Sequence, residues 1–243
     1  PAEPPARVLV VGGGYTGFEA ASHAAFLLHR TTGCGYAELR HLCPITILEK
    51  GPEPLHNISP RVQRWAMQLV AEFGVDVHTG VTVESFGADG SARLSDGSVL
   101  KRAIVIWAVG VTPGQAAAAL DVPKTKGGRI AVDRFLRVPG SERAFAAGDV
   151  AGPVPEGAGA PLRMGIQFSL AGGRCAGANA ARMLRGRRLK EFRPFDPGYV
   201  VPLAPGQAAG VVLGREVCGR APYFLHYFMC ALRSWGIGNK AAV

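Results

Sequence analysis

No two cysteines in this 243-residue chain stand at C-x-x-C spacing, and the five present, Cys34, Cys43, Cys175, Cys218 and Cys230, are odd in number. A disulfide framework and a redox dithiol are both disfavoured, and a reducing compartment such as the cytoplasm is favoured. His29, Cys34, His41 and Cys43 share one region, but their spacing follows no zinc pattern and no metal is expected. No apolar run reaches the roughly 18 residues that crossing a bilayer requires. The start, Pro1-Ala-Glu-Pro-Pro5, lacks the charged and apolar regions of a signal peptide and reads as a linker. Aromatic residues make up only 8% of the chain and its basic run holds a single one, Phe192, too few for the interleaving that a nucleic-acid partner uses.

Apolar residues make up 48% and the mean hydropathy is +0.15, enough to build a core in a chain long enough for two domains. Acidic residues become scarce in the second half. Residues 1–112 hold 9 Lys/Arg against 10 Asp/Glu, whereas residues 113–243 hold 18 against 8. The densest run, Arg182 to Arg193, carries Arg182, Arg185, Arg187, Arg188, Lys190 and Arg193 against Glu191 alone. It is either a solvated face or a surface for an anionic partner.

The strongest local signal opens the chain. Arg7-Val-Leu-Val-Val11 reads as a buried strand, and Gly12-Gly-Gly-Tyr-Thr-Gly17 leads from it into an alanine-rich helix over about 15–29. A G-x-G-x-x-G between strand and helix is a dinucleotide fingerprint: Gly12 permits the tight turn, Gly14 lets backbone approach a pyrophosphate, and Gly17 lets helix pack on strand. Ile45-Thr-Ile-Leu-Glu49 reads as a second buried strand ending in a carboxylate, where ribose hydroxyls are recognised. Glu49 lies further from the glycines than usual, so an insertion lengthens the crossover. A carboxylate there repels a 2′-phosphate and favours NADH over NADPH.

Ser59-Pro60 starts a helix that Gly74 stops, and short alternating runs at 75–78, 81–86, 92–94 and 98–101, with a turn at Asp96-Gly97, form an antiparallel meander. Ala103 to Val109 returns as a buried strand, and Gly110 ends it where close backbone approach to the dinucleotide is expected. Further on, 130–132 and 144–147 read as strands, the latter running into Gly148-Asp149, and a helix is expected over about 164–184. Tyr199 to Leu213 suggests two strands, and Pro222 to Trp235 an aromatic helix.

The fold class expected is α/β: a Rossmann-like parallel sheet with a small antiparallel meander. The landmark order resembles the pyridine-nucleotide-dependent FAD oxidoreductases, most closely the type II NADH dehydrogenases. The resemblance rests on Val11-Gly-Gly-Gly-Tyr-Thr-Gly-Phe-Glu19, the strand ending at Glu49, Val105-Ile-Trp-Ala-Val-Gly-Val111 and Phe145-Ala-Ala-Gly-Asp-Val150. It implies an NAD domain over 1–112, the C-terminal half of a split FAD domain over 113–198, and C-terminal strands with an amphipathic helix over 199–243. It places Gly12, Gly14, Tyr15, Thr16, Gly17, Glu49 and Gly110 at NAD(H), and Gly148 and Asp149 at FAD. It puts Glu19 beside the nicotinamide, where it can orient the ring for hydride transfer. Glu19 read by itself is equally a solvated helix charge, and Asp149 a turn or cap carboxylate.

The chain departs from that family in two places. The FAD-binding strand and glycine loop with which the family begins have no counterpart here, so the chain is expected to be a fragment that holds FAD poorly and is inactive in isolation. In the helix after Gly148-Asp149 the family carries paired glutamines at a quinone pocket. Here Gln167 stands, but Ala171 and Gly172 occupy the later places. Gln167 is therefore either a reaction-site residue or a helix-terminal residue bonding local backbone.

The reading is a flavoprotein passing hydride from NADH to FAD and on to quinone or another acceptor. The alternatives are a ferredoxin or rubredoxin reductase whose basic face docks an acidic carrier, and a non-catalytic NAD-binding interaction module. The aromatic stripe Tyr223, Phe224, Tyr227, Phe228, Leu232 and Trp235 either lies on an anionic membrane surface, as peripheral attachment at the inner face would require, or packs on protein.

Overall fold

The computed structural model describes residues 6–32, 41–56 and 58–234. In chain order the elements begin β1 (Arg7–Val11), α1 (Tyr15–Thr32), β2 (Ile45–Glu49), α2 (Pro60–Glu72), β3 (Asp76–Thr79), β4 (Val83–Phe86), β5 (Ala92–Leu94), β6 (Val99–Leu100) and β7 (Ala103–Trp107). They continue with α3 (Gln115–Ala118), β8 (Ile130–Val132), a 3-10 turn (Gly148–Val150), β9 (Ala151–Pro153) and α4 (Ile166–Leu184). The chain ends in β10 (Gly198–Leu203), β11 (Gln207–Val212), β12 (Arg215–Gly219) and α5 (Arg220–Arg233). Two compact units result: residues 1–110 with 197–243, and residues 111–196. β10 to α5, part of a separate segment (199–243) in the sequence-based division, pack with the first unit.

The first unit is layered around a parallel sheet in the order β3-β2-β1-β7. Strands buried on both faces need near-continuous apolar runs, which β1 supplies over Val8–Val11 and β2 at Ile45, Ile47 and Leu48. Val8, Val10, Ile45 and Ile47 pack on one face with Phe18, Ala21 and Ala25 of α1 and Ala66, Leu69 and Val70 of α2. Leu9, Val11 and Leu48 pack on the other with Val83, Ala92 and Leu94 of the β4-β5-β6 meander. α2 begins where its sequence says. Ser59 Oγ accepts from Val62 N at 3.3 Å, Pro60 fills the first turn, and Gly74 at φ +76° closes the end.

The tail adds a layer that alternation alone did not reveal. Three antiparallel strands form where two were expected, β11 turning through Leu213-Gly214, both left-handed, into β12. β12 carries exposed Arg215 and Glu216 on the sheet edge, so it lacks the apolar alternation that marks a half-buried strand. Val201 and Leu203 of β10 complete the core beside α1, with α1 and α2 between the two sheets. α5 covers the outer sheet.

In the second unit β8 and β9 pair in parallel, and Ile130, Val138, Ala146 and Ala151 make a small core. The strand expected over 144–147 is absent. Those residues bond back onto the preceding loop, Val138 N to Ala144 O at 2.9 Å and Ala146 N to Leu136 O at 3.0 Å, leaving a single bridge between Arg137 and Phe145. Asn179 of α4, fully buried, holds the following segment: its amide donates to Phe135 O and Lys190 O and accepts from Lys190 N, at 2.8–2.9 Å.

Candidate functional site

The glycine turn is fixed by contacts that leave room for no side chain at two positions. Gly12 sits at φ +112°, and a Cβ there would lie 2.3 Å from Ala108 O. A Cβ on Gly17 would lie 1.9 Å from Gly12 O. The turn is thus clamped between β7 and α1. Gly14 is different: it is exposed, and a Cβ there would meet nothing within 4 Å. The turn leaves Gly14 open at the N-terminus of α1, where a helix offers N–H groups to phosphate. The residues present therefore fit a dinucleotide. Thr16 is exposed beside Gly14, Tyr15 is half-buried, and Gly110, also exposed and left-handed at φ +97°, follows β7.

Glu49 ends β2 against that turn. Its carboxylate accepts from Gly13 N at 2.8 Å and from Gly51 N at 2.6 Å, and a Cβ on Gly13 would lie 2.8 Å from its Oε2. Gly13 is thus crowded by the Glu49 side chain, whose Cβ would also lie 2.8 Å away. Charge-assisted bonds of this kind fix the acid at the tip of the second strand.

Glu19 lies one turn into α1 and is half-buried. Burial raises its carboxyl above the usual carboxylate range, against the lowering effect of nearby His23. Tyr227 of α5 lies close enough to feel Glu19, and burial chiefly, with Tyr223 and Glu19 adding, pushes its phenol up to about 12. The stripe expected on α5 divides: Tyr223 and Tyr227 are partly buried, whereas Phe224, Phe228 and Leu232 are exposed. Trp235 and Cys34 lie outside the described residues.

In the second unit Gly148, left-handed at φ +77°, places Asp149 exposed in the 3-10 turn, where its carboxylate accepts from Ser169 Oγ at 3.0 Å. Sequence reasoning missed what holds this turn. Arg129, 8% exposed, donates from Nε to Asp149 O at 3.0 Å and from its guanidinium to Leu162 O at 2.5 Å. Burial lowers its pKa and Asp149 opposes the shift. No local pattern marks Arg129, since both its partners are distant carbonyls. A cleft here is lined by Arg129, Gly148, Asp149, Arg163, Phe168 and Ser169. An exposed carboxylate beside a left-handed glycine fits hydrogen bonding to a hydroxyl-bearing chain such as the flavin's ribityl. Gln167 lies in the first turn of α4 with Oε1 over Gly165, 3.2 Å from where a Cβ would stand.

These features define an α/β scaffold with a dinucleotide-type glycine turn. The sequence pattern of the pyridine nucleotide-disulphide oxidoreductases matches residues 1–167, and the chain belongs to that family. It is 31% identical over 206 residues to an NADH dehydrogenase-like protein of Mycobacterium tuberculosis, covering 85% of this chain and 50% of that one. It is 26% identical over 220 residues to the type II NADH:quinone oxidoreductase of Staphylococcus aureus, covering 90% and 54%. Among solved structures it resembles NDH2 of Plasmodium falciparum in complex with NADH, at a TM-score of 0.79 and 14% identity over 97% of this chain and 63% of that one. The ferredoxin reductase for the CYP199A2 system of Rhodopseudomonas palustris is also similar, at a TM-score of 0.65 and 22% identity over 85% and 47%. The chain spans about half the length of these two curated relatives.

Proposed function

We propose that this chain carries the NADH site and one edge of the flavin site of an FAD-dependent NADH dehydrogenase whose electrons go to quinone or another acceptor. The observation that carries the reading is the glycine turn, sterically closed at Gly12 and Gly17 and open at Gly14. The turn would seat the pyrophosphate, and Glu49 would accept from the ribose hydroxyls while disfavouring a 2′-phosphate. Gly148 and Asp149 would hold the flavin's ribityl side. When bound, the two cofactors supply the redox chemistry, a hydride passing from the reduced nicotinamide to the flavin. Glu19, half-buried, would orient the nicotinamide ring, and its raised pKa lets it carry a proton nearer neutrality than a free carboxylate. Gln167 would face the acceptor. The exposed residues of α5 would rest on an anionic membrane surface, which peripheral attachment requires; among the described residues no helix is long and apolar enough to cross a membrane.

A second reading, a reductase for an acidic protein carrier, draws on the basic loop after α4. Asn179 pins that loop, and Arg185, Arg187 and Arg188 stand exposed on it. Titrating the purified chain with NADH and NADPH by nicotinamide fluorescence tests the main proposal. Saturable binding with NADH preferred is expected, and equal or tighter NADPH binding would overturn the assignment of Glu49.

A further inference from the structure

The glycine turn is also braced from outside the nucleotide-binding sheet. Tyr15, the residue after Gly14, packs its ring on that of Tyr199 in β10, centroids 5.5 Å apart and planes tilted by 55°. Tyr199 Oη accepts from the backbone N–H of Ser59, the cap of α2, at 3.1 Å. Further along β10 a buried bond from Ala204 N to Ser22 Oγ, 3.2 Å, ties the strand's end to α1, and Ser22 Oγ donates to Glu19 O at 2.9 Å. One strand therefore grips the first turns of α1 and the start of α2 at once. The direction in which α1 presents its first N–H groups depends on where its first turn is held, and Tyr199 holds it through the ring of Tyr15.

We infer that Tyr199 is a positioning residue for the dinucleotide site, reached from 184 positions away in sequence. It sets the entry of α1 through Tyr15 and couples that entry to α2 through Ser59. The inference rests on the reading that the glycine turn holds NADH. Removing the ring frees Tyr15 to move and lets the first turn of α1 lose its aim at the pyrophosphate, so affinity falls although Tyr199 lies behind the turn. Removing only the hydroxyl keeps the ring contact and releases the Ser59 N–H, a smaller perturbation.

The test uses the full chain with Tyr199→Leu, Tyr199→Phe and, as a stability control, Leu94→Ala, which opens a cavity in the meander on the opposite face of the parallel sheet. NADH dissociation constants are measured by fluorescence, and urea midpoints alongside. Tyr199→Leu should raise the dissociation constant about tenfold and Tyr199→Phe about threefold. Leu94→Ala should lower the midpoint and leave the constant unchanged. An unchanged constant in either Tyr199 variant overturns the inference, as does a Leu94→Ala variant that loses affinity in proportion to its stability. If Tyr199→Leu does not fold, Tyr199→Phe decides alone. Failure of the wild-type chain to bind NADH at all would instead overturn the functional reading, and the inference with it.

Discussion

Replacing Gly14 and Gly17 one at a time should separate binding from folding, although both belong to one six-residue turn. At Gly17 an added Cβ overlaps Gly12 O at 1.9 Å, and since neither atom belongs to a flexible side chain, α1 must move off β1 by more than about 1 Å to relieve it. That shift loosens Phe18, Ala21 and Ala25 in the core, and Gly17→Ala is expected to cost about 3–5 kcal/mol. At Gly14 the Cβ meets nothing within 4 Å and the backbone is not left-handed. Gly14→Ala should leave stability unchanged or raise it by about 0.5 kcal/mol through the unfolded chain. Binding runs the other way. A methyl at this open position displaces the pyrophosphate from its N–H donors, and losing one charge-assisted bond of about 2–3 kcal/mol weakens NADH roughly a hundredfold. Gly14→Val should abolish binding. Urea denaturation and NADH titration of both single variants give the answer. Wild-type affinity in Gly14→Ala would refute the pyrophosphate assignment, and wild-type stability in Gly17→Ala would refute the steric account of the turn.

Four further outcomes are expected. Glu49→Ala should narrow the preference for NADH over NADPH about tenfold and lower stability by about 1–2 kcal/mol, because Gly13 and Gly51 lose their shared acceptor; paired titrations and melts measure both. Burial raises the pKa of Glu19 in the folded chain, so the stability this group contributes is fully present below its ordinary value of 4.5 and is lost as pH rises through the folded value. Glu19→Gln should therefore match wild type in acid and exceed it at neutral pH, as denaturation across that window reads directly. Asn179→Leu leaves Phe135 O, Lys190 O and Lys190 N without their partner and should destabilise the second unit by about 3 kcal/mol, seen as early exchange of amides around Lys190. Exposed Phe224, Phe228 and Leu232 with Arg220 and Arg233 of the same helix predict salt-reversible co-sedimentation with anionic vesicles, lost on deletion of 221–243; both forms remaining in the supernatant at low salt would sink the idea.

The sequence by itself determined the features that short-range sterics dictate. β1, the glycine turn and the start of α1 follow from which residues tolerate the turn's backbone, and the start of α2 follows from Ser59 and Pro60. Asp96-Gly97 and alternation announce β4 to β6 of the meander, but the run at 75–78, expected with them, pairs in parallel with β2 as β3 instead, and the dyad of Gly148 and Asp149 is legible as a turn. What the tertiary structure decided are contacts between segments far apart in the chain. Apolar burial is non-directional, so nothing in Val201 or Leu203 announced that β10 would lie on α1 rather than elsewhere. The apolar run 144–147 looked like a strand, yet the loop before it offered nearer partners and satisfied its backbone first. Arg129 could be any surface arginine until folding brings the carbonyls of Asp149 and Leu162 to its guanidinium. Tyr199 gained its place behind the glycine turn in the same way: a residue's own sequence neighbours fix its backbone conformation, and only the completed fold fixes what its side chain touches.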